Sequence, residues 1–224
     1  MRRTVIAELL DDDLGTPEEV AASLADLRGI NARFGGVQTT ARLLQRVATQ
    51  SGLRELSVLE VAAGAGDLCL DVQQFLAREG VQLRVVLLDR MWSHVDGRPL
   101  PAVCGDALRL PFRNDSFDVV SCSLFAHHLE RDEVRGFAAG AIRVCRRALL
   151  INDLIRSPIH LALVYASLPL LRSRLTRHDA PASVRRAYTL QEMRDALRAL
   201  PGVRLEMSKH YLYRMGVLVW KSST

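Results

Sequence analysis

Small residues at one point of the chain open the way to ligand chemistry. The run Leu59-Glu60-Val61-Ala62-Ala63-Gly64-Ala65-Gly66-Asp67-Leu68 leaves an apolar stretch and enters a helical pattern. Small side chains let the backbone approach a ligand closely, and the first turn of a helix offers unpaired N–H groups to an anionic group. Taken alone, the run also fits a tight packing turn. A dinucleotide-binding loop would carry a third glycine at residue 69, which is Cys69. Asp89 ends the next apolar run, 23 residues after Gly66, where a carboxylate can accept hydrogen bonds from ribose hydroxyls. Two further elements come after it: Gly105-Asp106-Ala107-Leu108-Arg109-Leu110-Pro111-Phe112, and Asp115-Ser116-Phe117-Asp118-Val119-Val120. Another apolar run then delivers Ser121-Cys122-Ser123-Leu124-Phe125-Ala126-His127-His128-Leu129. A histidine titrates near neutral pH and can take a proton from an attacking group. Adjacent residues rarely face the same way, so at most one of His127 and His128 serves as a base. Helix capping or ligand contact is the other reading of the pair. Asn152 and Asp153 end a further apolar run and either bind substrate or cap the segment after it.

These residues need elements to hold them. Apolar runs at 56–61, 83–88, 102–104, 117–121 and 148–151 predict strands, separated by helices over 66–78 and 131–144. Continuous apolar strands alternating with helices are what a parallel sheet covered on both faces requires. Thr16-Pro17-Glu18-Glu19 is a helix start, with an N-cap, a proline at the first position and early acids. That helix is expected to reach about residue 28, and Gly35-Gly36 separates it from a second helix over 37–50. Helices are also expected over 158–171 and 191–200. Strands at 203–208 and 211–220 are separated only by Lys209-His210, too little for a crossover, so they are antiparallel. The fold class is therefore α/β: a doubly wound, Rossmann-like, seven-stranded sheet, mostly parallel with one reversed strand, plus an N-terminal helical cap. Residues 1–224 read as one domain, divided into the cap (1–52), a core (53–155), an insertion (156–188) and a C-terminal helix with a strand pair (189–224).

The order and spacing of Glu60-x-Ala62-x-Gly64-x-Gly66, Asp89, Gly105-Asp106-Ala107-x-x-x-Pro111-Phe112 and Ser116-Phe117-Asp118-Val119-Val120 resemble the class I S-adenosylmethionine-dependent methyltransferases. The resemblance covers residues 55–153. Within that family the chain is most similar to the small-molecule branch, which includes the ubiquinone/menaquinone methyltransferases and those acting on phenolic polyketides. The resemblance implies S-adenosyl-L-methionine as cofactor. It also implies that the Gly64–Gly66 loop holds the methionine part, with Glu60 orienting the loop. Asp89 would bind the ribose hydroxyls and Asp106 and Ala107 the adenine, and Ala62, Arg90 and Ser123 are also expected to contact the cofactor. Two departures stand out. Ala62 replaces the usual first glycine, and Gly97, Pro99 and Pro101 shorten the helix expected after Asp89. The implied reaction is methyl transfer to a small hydrophobic acceptor, a phenol, quinol or polyketide-derived ring, at oxygen or carbon; where a base is needed, as for oxygen, His127 or His128 is the candidate.

The flanking segments point to the acceptor. Phe34, beside the glycine pair, and residues 156–188 look like a lid. Phe34, Arg156 at the start of the second segment and Tyr165 in its apolar part are expected to contact the substrate, and Arg172, Arg174, Arg177, Arg185 and Arg186 come after them. An apolar wall followed by cations suits a greasy acceptor with a polar head, or shallow membrane contact; a core helix with a solvated basic loop fits equally. The chain has a net charge of +5. Residues 1–139 hold 15 cations against 20 acids, and residues 140–224 hold 15 against 5. This asymmetry is expected to meet something anionic, or to be a solvated surface. The strand-end loop at 121–129 lacks the Asn/Asp-Pro-Pro-aromatic pattern of nucleic-acid amino-methylating enzymes, and aromatics are only 5%. Both count against a flipped-base substrate. Four cysteines without a Cys-x-x-Cys spacing read as free thiols, and no metal is expected. No secretory signal or membrane span is read, so a cytoplasmic location is expected, with peripheral membrane contact left open. A nicotinamide-dependent oxidoreductase and a non-catalytic cofactor- or RNA-binding protein are the competing readings. The oligomeric state is open.

Overall fold

The computed structural model describes residues 1–222. Seven strands form one sheet in the order β3-β2-β1-β4-β5-β7-β6. They are β1 (Glu55–Val61), β2 (Gln82–Asp89), β3 (Ala102–Cys104), β4 (Phe117–Ser123), β5 (Cys145–Leu154), β6 (Val203–His210) and β7 (Arg214–Lys221). The first five are mutually parallel, and β7 runs antiparallel between β5 and β6. The order reverses between β1 and β4, so the carboxyl ends of those strands frame a crevice. The central strands are buried along nearly their whole length, which is why their sequences are continuous apolar runs rather than alternations.

Helices cover both faces. Ahead of β1 lie α1 (Pro17–Arg33) and α2 (Gly36–Ser51). Thr16 and Glu19 close a reciprocal capping box at the start of α1. The α1 helix runs past residue 28 to Arg33, because Gly29 is tolerated inside a helix at a cost of about 1 kcal/mol. Gly35, at φ +79°, turns the chain into α2. After β1 comes α3 (Asp67–Arg78), and α4 (Trp92–Val95) is a single turn, as Gly97 and the nearby prolines require. The face opposite α2 and α3 packs α5 (Arg131–Val144) and α8 (Leu190–Leu197).

The insertion differs from its expected form. The apolar helix over 158–171 is α6 (Pro158–Ser167) followed by a 3₁₀ turn at Leu168–Leu170, where Pro169 removes an N–H. A second helix, α7 (Arg174–Arg186), occupies the stretch for which the sequence also allowed a basic loop. Its buried face carries Leu175, Thr176, Asp179, Ala182 and Val184; Arg174 and Arg177 are exposed, while Arg186 turns inward to the cavity. Strand β5 is also longer than expected, since pairing with β7 extends to Leu154. No helix among the described residues is long and apolar enough to cross a membrane.

Candidate active site

The loop after β1 has the backbone its glycines imply. Gly64 and Gly66 lie at φ +52° and +72°, and Gly66 is the N-cap of α3. Ala62 also lies in the left-handed region, at φ +53°, and carries the strain that a glycine there would avoid. Asp89 braces the loop across the β1–β2 pair. Its Oδ2 accepts the Gly64 N–H at 2.8 Å and its Oδ1 accepts the Met91 N–H at 2.9 Å. A carboxylate has about four acceptor sites, so this bracing leaves capacity for a ligand. Asp106 Oδ1 caps the turn at Ala107–Arg109 through the Leu108 N–H. Arg90 is tied instead to the N-terminal segment, through Asp12 Oδ1 at 3.0 Å and the Asp11 carbonyl.

Glu60 lies buried beneath the loop. Burial pushes its carboxyl up to about 7, while the hydroxyls of Ser121 and Ser123 oppose the rise. Both hydroxyls lie near that carboxyl, but neither makes a well-formed hydrogen bond among the described residues. Glu60, Ala62–Leu68, Asp89–Met91, Asp106, Ala107 and Ser123 all line one cavity of about 920 Å³. That cavity continues to an apolar wall made by Leu24, Leu27 and Phe34 of the α1 end and by Leu163, Val164, Leu171 and Val184 of the insertion.

Four histidines line the same cavity: His94, beside the end of β2, and His127, His128 and His160. The loop after β4 turns at Leu124, φ +55°, and presents His127 and His128 on a short 3₁₀ turn. Asp153 receives His127 twice, from the backbone N–H at 2.9 Å and at Nδ1 at 2.7 Å. Burial alone would lower the His127 pKa, but the carboxylates of Asp153 and Glu8 overcome it and raise the pKa to about 10. Held this way, His127 keeps its proton near neutral pH until a bound group displaces it, and is a poor base. His128 Nδ1 meets Asp11 Oδ2 at 2.9 Å, and His94 Nε2 meets Asp13 at 2.7 Å.

His160 is the exception. Its Nδ1–H donates to the Ile155 carbonyl at 3.0 Å, and its ring stacks on Tyr213. Burial, aided by the charge of Arg214, lowers its pKa against the pull of that carbonyl. It is thus a neutral imidazole whose Nε2 carries the lone pair. Arg214 is itself 2% exposed, lines the cavity and donates to Asn31 at 2.9 Å. Sequence reasoning passes over Glu8, His160 and Arg214. The last two carry a signal, since each is a polar residue at the start of an apolar element.

Several expected acceptor contacts are corrected. Phe34 lines the cavity, but Asn152, Arg156 and Tyr165 do not. Asn152 follows the alternation of β5 to the other face, where its amide donates to Gly36 and Thr40 at 2.9 and 2.8 Å. Arg156 clamps the carbonyls of Met1 and Ala187 and pairs with Glu192 at 2.6 Å. Tyr165 points outward, accepting from Arg185 at 2.8 Å. Asp153 reaches the cavity only through His127. The expected cationic cluster is largely spent on the chain itself: Arg174 on Glu19, Arg177 on the Leu171 carbonyl, Arg186 on the His128 carbonyl.

Residues 59–149 match the family model described as a methyltransferase domain. The chain has the class I methyltransferase fold. It is similar in structure to a plantazolicin methyltransferase solved with a pentazolic desmethyl-plantazolicin analogue and S-adenosylhomocysteine (TM-score 0.71, 10% identity, 96% of this chain and 95% of that one). It is also similar to magnesium protoporphyrin IX methyltransferase from Synechocystis PCC 6803, solved with S-adenosylhomocysteine (TM-score 0.55, 18% identity, 86% of each chain). A third similar structure is an S-adenosylmethionine-dependent methyltransferase from Aquifex aeolicus (TM-score 0.55, 18% identity, 79% and 88% covered). No curated protein sequence matches the chain. In this methyltransferase fold the loop with left-handed glycines, the braced carboxylate at the β2 end, the capped turn after β3, the histidines and the apolar wall all line one cavity.

Proposed function

We propose that this protein is an S-adenosylmethionine-dependent methyltransferase whose acceptor is a small hydrophobic molecule, a phenol, quinol or polyketide-derived ring. The observation that carries the reading is one cavity that joins a glycine-loop half suited to a nucleoside to an apolar half. When bound, S-adenosylmethionine supplies an electrophilic methyl group on a sulfonium. The Gly64–Gly66 loop holds its methionine part, Asp89 its ribose hydroxyls, and Asp106 with Ala107 its adenine. Glu60 and Ser123 give the loop a polar floor. Arg90 flanks the ribose end. The apolar wall orients the acceptor and excludes water, which is most of what an in-line displacement needs. His160 fits the role of base better than His127, because its imidazole is neutral and its Nε2 makes no hydrogen bond among the described residues.

Calorimetric titration with S-adenosylmethionine, S-adenosylhomocysteine and NADH tests the cofactor. Micromolar binding of the two sulfur ligands and none of NADH is expected; NADH binding alone overturns the reading. Methylation of a panel of lipophilic phenols and quinols then tests the acceptor class. On α6 and the turn after it, Ile159 and Leu170 are 62% and 76% exposed. This supports delivery of a lipophilic acceptor from a membrane surface. Leu170→Asp is expected to reduce co-sedimentation with phospholipid vesicles, and an absence of wild-type sedimentation removes that part of the proposal.

A further inference from the structure

We propose that Glu8, His127 and His128 form a site for a divalent first-row transition-metal ion at the acceptor end of the cavity. One donor atom from each lies within 4.8 Å of the others. His127 Nε2 stands 3.6 Å from Glu8 Oε1, and His128 Nε2 stands 3.8 Å from Glu8 Oε2. Neither is a hydrogen bond at that length. Glu8 Oε1 and His127 Nε2 are nonetheless buried without a partner, on residues 8% and 2% exposed. Two donors held about 2.0–2.2 Å from a shared ion stand about 3.4 Å apart, close to these separations.

The rest of each histidine is arranged as a ligand. A metal-binding imidazole engages a carboxylate through its other nitrogen, which sets the tautomer and the ring orientation. Asp153 meets His127 Nδ1 at 2.7 Å and Asp11 meets His128 Nδ1 at 2.9 Å, so both rings turn Nε2 toward Glu8. Glu8 is steadied by the Ser183 hydroxyl at 2.8 Å. Two imidazoles and one carboxylate on one side are a donor set for zinc or non-haem iron, with the remaining positions open to a substrate. All three residues line the cavity, so those positions face the acceptor.

The chemistry assigned to the ion rests on the methyltransferase reading; the ion site does not. An acceptor hydroxyl bound to the ion loses its proton to solvent more readily. Its oxygen lone pair then forms the O–CH₃ bond as the S–CH₃ bond breaks and that electron pair returns to sulfur. The site thus favours an oxygen acceptor over a ring carbon.

The test uses the full chain with Cys104→Ser, which removes the exposed thiol as a competing ligand. Chelator-stripped protein is titrated with Zn²⁺ by calorimetry and with Co²⁺ by visible absorption, and S-adenosylhomocysteine is titrated separately. One ion per chain is expected, with Glu8→Gln and His128→Ala each weakening Zn²⁺ by about tenfold or more. Glu8→Gln keeps the side-chain shape, so it carries the test if His128→Ala fails to fold. No ion bound, or equal binding by the Glu8→Gln variant, overturns the site. Failure of S-adenosylhomocysteine to bind overturns the methyltransferase reading and leaves the ion site standing.

Discussion

Replacing Glu60 by glutamine should stabilise the chain at alkaline pH and leave it nearly unchanged at acid pH. Burial raises this carboxyl from 4.5 to about 7, with Ser121 and Ser123 holding back the rise. Between those two values the folded chain keeps a proton that the unfolded chain has released. Stability therefore falls as pH rises through this window, from its full value below the unfolded pKa to its lowest above the folded one. The gap corresponds to about 3 kcal/mol, at about 1.4 kcal/mol for each pH unit. Glutamine keeps the shape and the hydrogen-bonding oxygen but has no charge to bury. Urea denaturation of both proteins at about pH 5 and about pH 8.5 measures the effect. Asp153, His127 and the other shifted groups titrate in both proteins and cancel in the difference. The stability advantage of Glu60→Gln should grow by about 2–3 kcal/mol between the two conditions. Parallel pH profiles for the two proteins would refute the reasoning.

Other substitutions separate packing from ligand contact. Gly66→Ala should cost about 2–5 kcal/mol, because a Cβ there stands 2.6 Å from Leu87 Cδ1 at φ +72°. Gly64→Ala meets nothing nearer than Leu24 at 3.8 Å and should cost only about 1–2 kcal/mol, so thermal melts should rank the two clearly. Arg156→Ala should lower stability by about 2–4 kcal/mol in denaturant titrations, while cofactor affinity measured on the folded protein stays within about twofold.

The cofactor half of the site was legible because its requirements are local. Glycines at 64 and 66 report the left-handed backbone they adopt, and Asp89 and Asp106 sit at strand ends whose apolar runs are continuous. The acceptor half is assembled from distant parts of the chain. Glu8 reaches His127 from a segment with no periodicity, and only the folded chain shows them together. Asn152 and Asp153 show the limit of pattern reading in another way. Both stand at the same strand end, but the two-residue alternation of β5 sends one toward α2 and the other to His127. The α7 helix was obscured by Pro181 and five charged residues in its sequence, Arg174, Arg177, Asp179, Arg185 and Arg186. These raise its polarity, although Leu175, Ala182 and Val184 pack inward.

The N-terminal segment is sewn to three cavity walls. Arg3 holds Glu130 and the carbonyls of His127 and Leu129, the Leu9 and Leu10 N–H groups donate to Asp179, and Asp13 holds Ser93 and His94. On the proposed methyltransferase reading, a cofactor that leaves the cavity along the side where Glu8, Leu10 and Asp11 line it has to loosen these ties. Departure of the spent cofactor is then expected to be slower than the chemical step. A rapid-mixing experiment would record a burst of product in the first turnover, and loosening a single tie, as in Arg3→Ala, would raise the steady rate while leaving the burst phase as fast as before.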